Sequence, residues 1–577
     1  MARRCYGLTW ALLVGLVSAA LSARADDEPF DLVIRSGRIV DGTGNPWFAG
    51  DVAIRGDRIA RVGRVTDAEA AAARRVLDAA GRIVAPGFID IHSHSDDTLF
   101  LDGAAPSKVR QGVTTEVLGE QTSGGPNTEA LGVKTLTVAG QSREIRTLKD
   151  YLDALDESGI AVNAATYVGL RNIWGGMMGA SFARPSPEQF EQMKTLLSEA
   201  MADGAFGLSD ALASADAEVV TTDDLVELGR VVARYGGIYS SHIRNEGTDV
   251  VRAVDEAITI GERAGIPVDI IHVKIADQRL WGRMSEIVAR IDAARARGVN
   301  VQTNVYPYTR GNNDLVSIVP PWAHEGGREA LLARLKDPGA RGRIVHEIRA
   351  GLPGWYNHYL AVGGDWSRML ISGHLSEANR EFEGQTMDRV LARRTGGRTL
   401  DEAGMISAML DFLAEEGGSV GTIYAHHTEE DMNLALVQPW CSIGSDGSAL
   451  AIEGPLRTLR GHPHPRNFGT FPRVLGVYVR ERRLLRLEDA IRKMTSLNAA
   501  KIGLMDRGLL RPGQYADVVV FDRDRVTDRA TYLEPFAYPE GIETVIVNGR
   551  VVLDDGRPTP ERPGRALRHG RDPGSAK

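Results

Sequence analysis

The chain has two cysteines in 577 residues, Cys5 and Cys441, too few to staple a fold of this size. Cys5 precedes an apolar run and is expected to leave with it, so no intrachain disulfide is expected. Basic charge is also scarce: 68 Lys and Arg stand against 76 Asp and Glu, a formal net charge of -8. There is no Lys/Arg stripe, which argues against a nucleic-acid partner because phosphate binding needs clustered positive charge. No Gly-Lys-Ser/Thr phosphate loop occurs. One long apolar run exists, residues 8–21, behind Arg3 and Arg4 and ahead of Ala23-Arg24-Ala25. It is short for a bilayer span and reads as a secretory signal cut after Ala25, giving a periplasmic or secreted protein with no stable membrane anchor.

What is present is a soluble globular composition, 43% hydrophobic and 25% charged, in a chain long enough for a large domain and an accessory one. Residues 26–84 read as short hairpin strands punctuated by Gly37, Gly42, Gly44, Gly56 and Gly63. The same texture returns in 504–577, so a small β-sandwich assembled from both ends is expected. Between them, 85–503 alternates apolar strands with amphipathic helices, an α/β pattern. Eight strand candidates (88–91, 115–118, 164–168, 206–208, 238–241, 268–271, 301–305 and 442–443) predict a (β/α)8 barrel. Residues 311–418 break the rhythm and read as an insertion near its mouth.

Histidines mark the ends of these strands. His92 and His94 are two apart at the end of the first, so both point to one side and can share an ion. His242 and His272 close two later strands, where a barrel keeps its chemistry. Asp446, in Ser442-Ile-Gly-Ser-Asp446-Gly, sits after the last and suits metal binding or proton transfer. Gly417-Gly-Ser419-Val-Gly421 matches a nucleophile elbow, but a helix precedes it and a strand follows, the reverse of what that motif requires.

These histidines and the aspartate, with AFGLS (205–209), Tyr306-Pro-Tyr308, PHPRNFGTFPRVLG (463–476) and the KMTSLNAAKIGL segment from Lys493, resemble the amidohydrolase superfamily, specifically its N-acyl-D-amino-acid deacylase (D-aminoacylase) group. The resemblance covers nearly all of the chain beyond the signal. It implies hydrolysis of a linear amide by zinc-activated water, with one or two Zn2+ ions. His92 and His94 would serve one metal position, His242 and His272 the other, and Asp446 would be the acid/base. Lys274, Tyr306 and Arg466 would contact a small amide substrate bearing a free carboxylate, Arg466 gripping that group with its planar fork. Two departures stand out. The group's thiolate ligand after the second strand is missing; the sequence has Glu120 there, either a carboxylate ligand in its place or a glutamate that supports the site without binding metal, and Cys441, at the start of the last strand, is no replacement. After AFGLS, Ser214 occupies the position of a substrate-contacting tyrosine. Hydrolysis of D-residue peptides or other amides, cyclic-amide hydrolysis, and an inactive barrel with a binding role are the alternatives.

Overall fold

Eight parallel strands close into a barrel in the computed structural model, which describes residues 28–459 and 461–570. The expected signal at 1–25 lies outside the described residues. In chain order the barrel strands are β1 (Phe88–Asp90), β2 (Val113–Leu118), β3 (Asn163–Thr166), β4 (Gly207–Ala211), β5 (Ile238–His242), β6 (Val268–Ile270), β7 (Val301–Val305) and β8 (Cys441–Ile443). Each is parallel to the next; Val168–Gly169 carries β3 onto β4. Between β8 and β1 closure rests on a single bridge, Ser93 to Gly447, with Asp446 N–H donating to His92 O at 2.8 Å and His94 N–H to Gly447 O at 3.0 Å. The strands are buried on both faces, polar positions such as Asn163, Ser241 and Asn304 included, the inner face by the barrel and the outer by helices such as Val250–Ala264, whose Val254, Ala257, Ile258 and Gly261 turn inward.

The termini build one nine-stranded sheet. Ile83–Pro86 pairs antiparallel with Val518–Phe521, Val84 opposite Val520, and this seam joins the N-terminal strands to the C-terminal ones. Alternation along the seam divides its side chains: Val518 and Val520 join the core of the β-domain, Val519 and Phe521 the core of the barrel. This strand pair, with two apolar faces, is one of the seams between the accessory domain and the barrel; Val545, Val547 and Leu553 also reach the barrel core.

The segment after β7 is a unit of its own. Gly311–Asp314, Met369–Gly373 and Gly421–Tyr424 form an antiparallel three-stranded sheet over a hydrophobic core that includes Leu335, Ile348, Phe412 and Leu413. Its last strand lies beyond residue 418, because it is completed by pairing with Gly311–Asp314, a partner that no local pattern reveals. Helix Glu402–Glu415 precedes Gly417–Gly421 and a strand follows, so this glycine-rich stretch has the wrong order for a nucleophile elbow. Among the described residues no helix is long and apolar enough to cross a membrane.

Candidate metal centre and cleft

All five side chains marked by the sequence meet at the C-terminal ends of the strands, with Glu120 in their midst. His92 and His94 leave β1, Glu120 leaves β2, His242 ends β5, His272 follows β6 and Asp446 follows β8. Glu120 Oε2 lies 2.5 Å from His92 Nε2 and 3.0 Å from His94 Nε2, while its Oε1 lies 3.2 Å from His242 Nδ1. Asp446 Oδ1 is 3.0 Å from His94 Nε2. Ligand atoms of His92, His94, Glu120 and Asp446 all fall within 4.8 Å of one another, as do those of Glu120, His242 and His272. Glu120 thus belongs to both groups. Two of these residues hold left-handed backbone, His272 at φ 36° and Asp446 at φ 51°. A non-glycine residue adopts that conformation at a cost, one that surrounding structure sustains most often at functional sites.

The electrostatics follow from burial among opposite charges. Burial would raise the Glu120 carboxyl, but His92, His242 and His94 outweigh it and hold it well below the usual range. Asp446 is also held low against burial, by Arg466, His92 and the His94 hydrogen bond. Burial pulls His94 down, yet its bonds to Asp446 and Glu120 push it up to about 10. His272 goes the other way, down to about 4, through burial and the neighbouring Lys274 ammonium.

This donor set fits a divalent metal. The Nε2 atoms of His92 and His94 converge on one oxygen of the Glu120 carboxylate. His242 Nε2 is buried without a hydrogen-bond partner among the described residues. Imidazole nitrogen with carboxylate oxygen is zinc-type ligation, and a carboxylate offering one oxygen to each group can span two ions.

The residues expected to touch substrate are placed unequally. Arg466 lines the cleft, its Nη1 donating to Asp446 Oδ2 at 2.8 Å. Tyr306, 6.4 Å from His272 between ring centroids, has a buried hydroxyl with no partner among the described residues. Lys274 is buried behind the wall; its Nζ lies 2.7 Å from His272 Nδ1, donates to His272 O at 3.0 Å and pairs with Glu246. Ser214 lines the cleft.

Two groups escaped the sequence reading. Glu246 is buried with Oε1 3.1 Å from His272 Nδ1 and Oε2 3.6 Å from His242 Nε2, the place of a carboxylate that orients metal-binding imidazoles. Its spacing four residues after His242 was the available signal. The second is a knot behind β1 and β8. Lys108 Nζ, fully buried, lies 2.6 Å from Asp90 Oδ2, 3.0 Å from Ser93 Oγ and from Ser445 Oγ, and 2.9 Å from Gly447 O, with Glu116 at 3.4 Å. Ser93 alternates with His92 and His94, so the knot grips the reverse side of the strand that carries them.

A closed parallel barrel with imidazoles and carboxylates gathered at its C-terminal mouth is the architecture of the amidohydrolases, and comparison with known proteins agrees. The profile of the amidohydrolase family matches residues 75–296 and 441–553, and the chain belongs to that family. Within it, its place is the N-acyl-D-amino-acid deacylase group. It is 37% identical to an N-acyl-D-glutamate deacylase of Alcaligenes xylosoxydans xylosoxydans over 94% of this chain and 97% of that one. It is 35% identical to a D-aminoacylase of the same organism, over 94% and 99%. The crystal structure of an N-acyl-D-glutamate deacylase from Bordetella bronchiseptica, complexed with zinc and a phosphonate inhibitor mimicking the tetrahedral intermediate, superposes with a TM-score of 0.76 at 33% identity, covering 94% of this chain and 100% of that one. The chain is a hydrolase of linear amide bonds.

Proposed function

We propose that the enzyme is a zinc-dependent deacylase of N-acyl-D-amino acids. The observation that carries this reading is the convergence of four imidazoles on Glu120 and Asp446, with the Arg466 guanidinium on the same cleft wall. His92, His94, Glu120, His242, His272 and Asp446 would hold the metal. A metal bound there supplies Lewis acidity, polarising the amide carbonyl and lowering the pKa of water to about 7.

The remaining chemistry falls to the protein's own groups. An amide has a poor leaving group, so the departing amine must be protonated as the C–N bond breaks. Asp446 takes the proton from the attacking water and delivers it to that nitrogen. Arg466 binds the substrate carboxylate through its fork and so fixes the scissile carbonyl over the cleft. Tyr306, with a hydroxyl proton not committed elsewhere, is the donor for the developing oxyanion. Lys274 and Glu246 hold the His272 ring in place. The preference for D-configured substrates and the choice of zinc are supported by the relatives' names and the zinc-bound crystal structure. Export, with removal of residues 1–25, belongs to the same proposal.

The test is amine release from paired N-acetyl-D- and N-acetyl-L-amino acids, with zinc quantified on the same protein. Release from the D series with metal present is expected. Turnover confined to cyclic amides or to the L series overturns the assignment, and fractionation of the native host tests export.

A further inference from the structure

The cleft does not end at the imidazoles. It encloses about 840 Å³, and its lining includes Asp446, Arg466, Glu120 and a second arginine, Arg171. Cavities of this size hold drug-sized ligands, so an N-acetyl amino acid seated at Asp446 leaves part of it open. Arg171 is the second residue of the helix Leu170–Met178, and its backbone N–H donates to Gln121 O at 2.9 Å, one residue from Glu120.

The neighbours of Arg171 are committed to one another rather than to it. Gln121 accepts from the Ala211 N–H at 2.8 Å and donates to Ser214 Oγ at 3.1 Å; Ser214 Oγ donates to Asp216 Oδ1 at 2.6 Å. The other Asp216 oxygen lies 3.7 Å from Arg171 Nη1, close enough to hold the guanidinium by charge but too far for a hydrogen bond. The Arg171 side chain is 54% exposed on the cleft. Arg466 and Arg328, the other arginines of the cleft, already donate to Asp446 and to Gly417 O.

We propose that Arg171 determines specificity by receiving a second acidic group of the substrate, remote from the carboxylate bound by Arg466. The inference rests on the deacylase reading and narrows it to N-acyl amino acids with two carboxylates. A guanidinium offers parallel donors that match a carboxylate, whereas an apolar group laid over it buries charge without a partner. The second carboxylate can hang from the amino-acid side chain, as in D-glutamate, or from the acyl group, as in a succinyl amide; the chemistry at Arg171 is the same.

The experiment compares kcat/KM of the full enzyme and of Arg171→Met and Arg171→Lys on N-acetyl-D-glutamate, N-succinyl-D-leucine and N-acetyl-D-leucine, with metal content measured for each protein. At least one acidic substrate should exceed N-acetyl-D-leucine tenfold or more. Arg171→Met should lower that substrate by about 10- to 100-fold, the worth of a charge-assisted hydrogen bond, mainly through KM. N-acetyl-D-leucine and metal content should stay unchanged, and Arg171→Lys should recover part of the loss. Whichever acidic substrate responds shows where the second carboxylate hangs. Equal losses on all three substrates, no loss on any, or a wild-type preference for N-acetyl-D-leucine overturns the proposal while leaving the deacylase reading standing. No turnover of any of the three sinks both.

Discussion

Arg466 Nη1 donates to Asp446 Oδ2 at 2.8 Å, so the arginine assigned to the substrate and the aspartate assigned to proton transfer are hydrogen-bonded to each other. A substrate carboxylate must therefore share the guanidinium with Asp446. Asp446→Asn is expected to keep the fold and retain metal through the four imidazoles and Glu120, but to lose 10²-fold or more in kcat, the range for a general acid–base group. Turnover with stopped-time amine detection and metal analysis checks both halves. Arg466→Ala should cost free-carboxylate substrates far more than their carboxamides; equal losses exclude the carboxylate role.

Glu120 faces both imidazole pairs, which makes it the most exacting position in the centre. Glu120→Ala should lose bound metal, since the imidazoles of His92, His94 and His242 forfeit their shared carboxylate. Glu120→Gln keeps the shape but drops the charge, and should bind less zinc than wild type by one ion or more per chain. Zinc stoichiometry by mass spectrometry after dialysis decides this, and wild-type content in Glu120→Ala removes the residue from the ligand set.

Lys108 is the lone cation in the knot behind β1 and β8. Lys108→Met leaves Asp90 and Glu116 buried without their counter-charge, a change that costs about 3–5 kcal/mol. The thermal transition should fall by several degrees, and Asp90→Asn added to Lys108→Met should recover part of it. A transition unmoved by Lys108→Met shows that the network carries no stability.

Two imidazoles away from the centre should make the protein acid-sensitive. Burial lowers His358 to about 3, and burial with Lys274 does the same to His427. Both are neutral when folded and accept protons near pH 6.5 when unfolded. Their contribution is complete above pH 6.5 and is lost as the pH falls towards 3, by up to about 1.4 kcal/mol per pH unit for each. The melting temperature between pH 7 and 4.5 should fall less steeply in His358→Gln than in wild type; parallel curves refute this.

The strand-terminal histidines were readable because each ends an apolar run, and the two-residue spacing of His92 and His94 is itself a geometric statement. Glu246 was less readable. It follows His242 by four residues in a loop, and only the fold brings it onto His272 as well. The resemblance made Lys274 a substrate contact; the fold also brings its ammonium to Glu246 and the His272 ring, partners the linear chain does not announce. Likewise the insertion is closed by Gly421–Tyr424 pairing with Gly311–Asp314, contacts set by sheet hydrogen bonds between distant segments.

By itself the sequence determined the alternation of strand and helix, the β texture at both ends and the placing of ligand-type side chains at strand ends, because periodicity and burial act over a few residues. The tertiary structure alone decided that Glu120 stands between two pairs of imidazoles, that Lys108 binds β1 to β8, and that Arg466 lies on Asp446. Those are relations between charges distant in the chain, and their energies depend on separations of a few ångströms that only the closed barrel sets.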